Sequence, residues 1–321
     1  MKSSRLHLAL LSLVLSCSQA PSFERTVSKS ASKEADVERK DQDDDQSDDV
    51  ESNDQDKVIV PDIKKPEMDD VVKKEPEKEP VKHEPDPIMV PPPTSAYDPC
   101  PALGQVCTIM PLGDSITYGV NGYGLGGYRV PLIRKAWAAN KKITFVGSTQ
   151  TGQPKLDNKD FPTANEGHSG WTIDDIAGRE GLSKIIEDRL KTYKPHIVLL
   201  QIGTNDTSVN VDLENIPKRL AKLMDKITAT LPDTFLVVAQ IVPSRQDPLN
   251  NSIKAYNAAI PALVKERADA GKHIVTVDMY NAMTSNNNYK AAYFIDDLHP
   301  NDTGFDVMAN VWWEAIQKYL K

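Results

Sequence analysis

The segment IMPLGDSITYG, residues 109–119, runs from strand-like apolar residues into Gly113-Asp114-Ser115, a turn that would present the Ser115 hydroxyl at a strand end. A serine hydroxyl is a weak nucleophile at neutral pH and needs a base beside it. Imidazole suits that task because its pKa lies near the working pH, and a carboxylate can hold it in one tautomer. Both groups occur in Asp296-Asp297-Leu298-His299, where Asp296 precedes His299 by one turn. A tetrahedral oxyanion also needs preorganised donors. Two further stretches offer them, Glu166-Gly167-His168-Ser169-Gly170-Trp171 and Gly203-Thr204-Asn205-Asp206. The candidate donors are the amides of Ser115 and Gly170 and the side chain of Asn205.

Each piece has a plainer reading. Gly-Asp-Ser alone is a turn, Asn205 a loop cap, Asp206 a solvated or turn-stabilising carboxylate, and Asp296 with His299 a pair at a helix start. Of the six histidines, His7 and His83 lie outside the globular pattern, and His196 and His273 begin strands at the expected opposite sheet edge. His168 remains as a rival base, or as a hydrogen-bonded brace for the Gly170 loop. Asp297 remains as a rival acid. The conjunction in this chain order is what points to a serine hydrolase.

The elements that must position these residues alternate. Apolar strands are expected near 106–112, 142–148, 196–203, 234–242 and 273–279. Between and after them, helices are expected over 128–139, 173–193, 212–230, 249–270 and 303–320. Gly178 and Gly181 threaten the second helix, and Pro261 should kink the fourth. Short apolar strands separated by amphipathic helices predict an α/β fold with a parallel sheet covered on both faces. In such sheets ligands gather beyond the carboxyl ends of the strands, which is where the four stretches fall. Gly122, Gly124 and Gly127 have dinucleotide-fingerprint spacing, but no strand directly precedes them and no acid follows at the required distance. A flexible rim beside the site is expected there instead. GHSGW, residues 167–171, is no nucleophile elbow, because Trp171 stands where the second glycine belongs.

The blocks MPLGDSITYG, EGHSGWTIDDI, LQIGTNDTS and FIDDLHPNDTGF resemble those of the SGNH (GDSL) hydrolases over nearly all of residues 107–321. GGYR (126–129), FVGS (145–148) and EGHSGWTI (166–173) are similar to the branch containing the third carbohydrate-esterase family, the acetyl xylan esterases. The resemblance implies a flavodoxin-like three-layer sandwich around a five-stranded parallel sheet, and no cofactor. It implies Ser115 as nucleophile, His299 as base and Asp296 as its orienter, with Gly170 and Asn205 completing the oxyanion hole. The activity it implies is hydrolysis of small acyl esters, acetyl above all, on polysaccharide through an acyl-serine. A lysophospholipase or thioesterase is the alternative enzyme. A catalytically idle carbohydrate-binding lipoprotein is the alternative from another class.

Composition divides the 321 residues unevenly. Residues 1–17 carry Lys2 and Arg5 ahead of an apolar run too short to span a bilayer, the layout of a secretory signal. Val14-Leu15-Ser16-Cys17 resembles a bacterial lipobox, which would make Cys17 a lipidation site; an ordinary cleaved signal is the alternative. Residues 18–99 hold 23 acidic and 12 basic side chains, many prolines and few aromatics, the composition of a disordered linker. Residues 100–321 hold 23 acids and 24 bases, so the globular part is nearly neutral and offers no basic excess for nucleic acid. With Cys17 lipidated, Cys100 and Cys107 remain to form a disulfide in an oxidising compartment; two free thiols are the alternative. No metal-ligand spacing is present. Expected, then, is an exported monomer, held at the outer membrane or cell surface by an N-terminal lipid or else secreted or periplasmic, acting on an acylated polysaccharide or small ester.

Overall fold

A computed structural model describes residues 97–321. The expected signal, Cys17 and the expected linker as far as residue 96 lie outside the described residues. Among the described residues nine strands are formed: β1 (Cys107–Gly113), β2 (Ile143–Phe145), β3 (Thr149–Gln150), β4 (Lys155–Leu156), β5 (Lys159–Asp160), β6 (Ala164–Gly167), β7 (Ile197–Gln201), β8 (Phe235–Ala239) and β9 (Ile274–Val277). The helices are α1 (Ser115–Tyr118), α2 (Arg129–Ala138), α3 (Ile186–Tyr193), α4 (Thr204–Ser208), α5 (Ile216–Thr230), α6 (Asp247–Asp269), α7 (Met279–Thr284), α8 (Tyr289–Ala292) and α9 (Asp302–Ile316).

The five expected strands lie parallel in the order β2-β1-β7-β8-β9, the flavodoxin-like arrangement. The loop after β2 adds two short strands to make seven: β6, parallel to β1, and β3, antiparallel to β6. β4 and β5 form a separate hairpin. Alternation along the central strands sends side chains to two cores. Ile109, Ile197, Leu199 and Val237 pack with α2, α7 and α9, where Trp312 and Phe305 are fully buried. Met110, Leu112, Val198, Leu200 and Val238 pack with α3, α5 and α6.

A proline inside the central strand β1 is unexpected, since it cannot donate to a ladder. Odd-numbered residues of β1 face β2 and β6: Cys107 N donates to Lys142 O, while Ile109 O and Gly113 O accept from Val146 and His168. Pro111 points the same way. β2 pairs with residues 107–109 and β6 with 112–113, so Pro111 falls in the gap between them and no ladder bond is lost.

The expected helix over 173–193 forms only from Ile186, after a short 3-10 turn at Leu182–Lys184. Ala177 (φ 52°) and Gly178 (φ 75°) are left-handed, and a Cβ at Gly181 would come within 2.2 Å of Asp174 C. The segment therefore folds back on itself, with Thr172 bridging Gly181. α6 continues on both sides of Pro261. Cys100 and Cys107 are disulfide-bonded, which ties the segment before β1 to that strand.

Arg129 fastens the elements around the Ser115 end of β1. Its side chain is wholly buried and, among the described residues, has no carboxylate partner. It donates to the carbonyls of Thr151 (3.1 Å), Thr163 (3.0 Å) and Leu125 (2.9 Å) and to the Thr151 hydroxyl (2.6 Å). Burial pulls its pKa down to about 10, so it stays cationic at neutral pH. An apolar replacement of similar length strips these acceptors of their side-chain donor. Arg129→Met is expected to lower the unfolding free energy by about 3 kcal/mol in urea denaturation. A loss below about 0.5 kcal/mol, typical of neutral surface changes, would contradict this role.

Candidate active site

β1 ends where only glycine fits, because a Cβ at Gly113 would lie 2.2 Å from Gln201 O and 2.5 Å from Thr117 Oγ1. Asp114 then caps α1, its Oδ1 accepting from Ile116 N at 3.0 Å. Ser115 opens that helix with 8% of its surface exposed. Across the sheet edge, residues 294–300 form a closed turn, with Ile295 N donating to His299 O and Phe294 bridged to Pro300. Asn301 starts α9 directly afterwards, its side chain accepting from Gly304 N.

The turn delivers His299 to Ser115. Its Nε2 lies 2.8 Å from Ser115 Oγ, although the two residues are 184 positions apart. Nδ1 lies 2.9 Å from Asp296 Oδ2 and 3.1 Å from Oδ1. An ionised carboxylate only accepts, so the ring proton sits on Nδ1 and Nε2 is left to accept from the serine hydroxyl. Partial burial works against ionisation of Asp296. The amides of Leu298 and His299 and the His299 ring outweigh it, and its carboxyl lies below the usual range. The rivals are engaged elsewhere. The Asp297 carboxylate accepts from Gln246, and His168 Nε2 lies 2.7 Å from Glu166 Oε1 with its ring stacked on Trp171.

The Gly170 turn begins against β1, where His168 N donates to Gly113 O, and Gly170 is left-handed at φ 84°. Arg179 donates to Gly170 O, and Asn205 Nδ2 donates to Trp171 O at 2.8 Å, so Asn205 at the start of α4 is joined to this turn. A primary amide has two donor hydrogens, so a second remains available. Asp206 is not solvated: it is fully buried, accepts from Ile173 N at 3.1 Å and faces Arg219 at 3.4 Å. Glu166, given no role from sequence, is also fully buried, and its carboxylate gathers Ser148 N, Ser148 Oγ and His168. Nothing in its local sequence marks that role, because Ser148 reaches it from 18 positions away. Among the described residues no group of three or more His, Cys, Asp or Glu side chains could hold a metal ion.

Asp114 is the fully buried acid beside the nucleophile. Burial pushes its carboxyl from 3.8 up to about 6, against the hydrogen bond from Ile116, and its Oδ2 has no hydrogen-bond partner. An acid whose pKa is higher folded than unfolded holds its proton longer in the folded state. Its contribution to stability therefore falls as pH rises from about 4 to about 6, and stays lost above that. Asp114→Asn keeps an acceptor for Ile116 N and removes this titration. The variant's Tm, relative to wild type, is expected to be higher at pH 7 than at pH 4; a difference that does not grow with pH contradicts the assignment.

Known proteins share this chain's pattern. A family 3 carbohydrate esterase of Clostridium thermocellum superposes with a TM-score of 0.56 at 34% identity, covering 67% of this chain and 98% of that one. An acetyl esterase variant crystallised with acetate gives 0.55 at 27% identity, covering 66% and 98%. A multidomain esterase of Ruminococcus flavefaciens is 31% identical over 230 residues, 66% of this chain. The chain spans 29% of that relative's length. The model of the GDSL-like lipase/acylhydrolase family matches residues 112–307, more than half of the sequence and the whole span from Ser115 to His299, and the chain belongs to that family.

Proposed function

We propose that this protein is a serine esterase that removes small acyl groups, acetyl above all, from polysaccharide. The observation that carries the reading is the 2.8 Å approach of His299 Nε2 to Ser115 Oγ with Asp296 on the far side of the ring. Ser115 Oγ attacks the ester carbonyl carbon while its proton passes to His299 Nε2. The carbonyl oxygen becomes an oxyanion, met by the amides of Ser115 and Gly170 and the free hydrogen of Asn205 Nδ2. Collapse expels the sugar alcohol, which takes the proton back from His299 and leaves an acyl-serine. Water then attacks this ester with His299 again accepting a proton; the bond from the acyl carbon to Ser115 Oγ breaks, Oγ takes that proton back from His299, and the carboxylic acid leaves. Asp296 stays ionised throughout and steadies the imidazolium.

The acyl group and polymer are supported by likeness to a carbohydrate esterase and to an acetyl esterase crystallised with acetate. In the same proposal the chain is exported and monomeric, and Cys17 carries the lipid that holds it at a membrane through the acidic linker. The sequence pattern of residues 1–99 supports the export and the anchor.

Ser115→Ala is expected to lose nearly all hydrolysis of p-nitrophenyl acetate, keeping only the modest residual rate that oxyanion donors provide. Wild-type-like turnover in that variant would end the reading. Acetylated xylan, glucan and chitin oligomers should release acetate, and an optimum on long-chain esters or lysolipids would overturn the acetyl assignment.

A further inference from the structure

The stretch 119–127, which follows α1, is tied down rather than left as a flexible rim. It turns through left-handed conformations at Gly119 (φ 96°), Asn121 (φ 66°), Tyr123 (φ 48°), Gly124 (φ 59°), Leu125 (φ 69°) and Gly127 (φ 51°). Three hydrogen bonds fasten it to the segment that carries the acid and the imidazole. Tyr123 N donates to Asp302 Oδ1 at 2.7 Å, and Tyr123 Oη donates to Asp306 Oδ1 at 2.8 Å. Asn121 Nδ2 donates to Asp296 Oδ2 at 2.8 Å. Gly122 lies so close to α9 that a Cβ there would meet the Phe305 ring at 2.2 Å.

These contacts divide the labour. Tyr123 and Gly122 already hold the loop against α9, so the Asn121 amide is not needed to fix the backbone. It ends instead on the oxygen that receives the His299 ring. Asp296 Oδ1 accepts from the amides of Leu298 and His299, while among the described residues the only donors on Oδ2 are Asn121 and His299 Nδ1. The Asp296 side chain is 46% exposed. Without Asn121 that exposed oxygen is shared between water and the imidazole, and the carboxylate can turn about its Cβ–Cγ bond.

We propose that Asn121 is a positioning residue for the hydrolytic reaction, locking the Asp296 carboxylate in the orientation that aims His299 Nε2 at Ser115. The proposal rests on the esterase reading above. It also accounts for an asparagine at a left-handed position, which this residue tolerates better than most while supplying a donor.

The test is a double-mutant cycle on the full chain with p-nitrophenyl acetate. Asn121→Gly keeps the left-handed backbone and deletes the amide. It is expected to lower kcat about tenfold with KM within about twofold. In an Asp296→Ala background the same substitution should change kcat by less than about twofold, because its target is gone. Asn121→Asp fits the same backbone but turns a second carboxylate on Asp296, and should lose more than Asn121→Gly. A full loss repeated in the Asp296→Ala background, a loss confined to KM, or an unchanged kcat in both Asn121 variants would each overturn the role. Wild type without esterase turnover would sink the parent reading, whereas active wild type matched by both variants sinks this inference alone.

Discussion

A proton can pass directly between a hydroxyl and an imidazole only when their heavy atoms stand within hydrogen-bonding distance, and this chain must bring them there from positions 115 and 299. The sheet solves half of the problem. β1 is flanked on both sides, so its carboxyl end is fixed, and Gly113 lets α1 begin in contact with the end of β7. The other half falls to a turn outside the sheet. Residues 294–300 are closed by backbone hydrogen bonds and run directly into α9, whose Phe305, Met308 and Trp312 are sunk in the core shared with β1. The imidazole is thus referenced, through one helix, to the strand that carries the serine.

Three carboxylates lie in the segments that carry the site, and their surroundings give them different tasks. Asp296 is half-exposed and saturated with donors, so it is ionised and able to stabilise an imidazolium. Glu166 is buried; burial would raise its pKa, but His168 and Ser148 hold it below the ordinary range, and it steadies the start of the Gly170 turn from beneath. Asp114 is buried with one oxygen unpartnered, so burial wins and its pKa rises. The same functional group serves as orienter, brace and helix cap, according to how many donors reach it.

What was legible in the sequence follows from range. The five parallel strands and the Ser115, Asp296 and His299 set are written in local patterns: apolar runs, a glycine at a strand end, and an acid one turn before a histidine. Residues 173–185 do not form the expected helix: Ile173 and Leu182 pack into the core from a segment that folds back at Gly181 and whose Ile173 N is bound by Asp206, 33 positions away. β6 escaped notice because its burial comes from β1 and β3 rather than from its own composition. Asn121 and Glu166 carried no local mark of their roles, since each acts on a partner that only tertiary folding supplies.

The central claim is that the Ser115 hydroxyl is activated by the His299 ring. The most direct measurement is reaction of the full-length protein with a fluorophosphonate, followed by peptide mapping, in wild type and in His299→Ala. The account predicts one adduct, on Ser115, forming rapidly in wild type and at least about a hundredfold more slowly without the imidazole. A wild-type serine that stays unmodified, or one that reacts equally fast in His299→Ala, would contradict it.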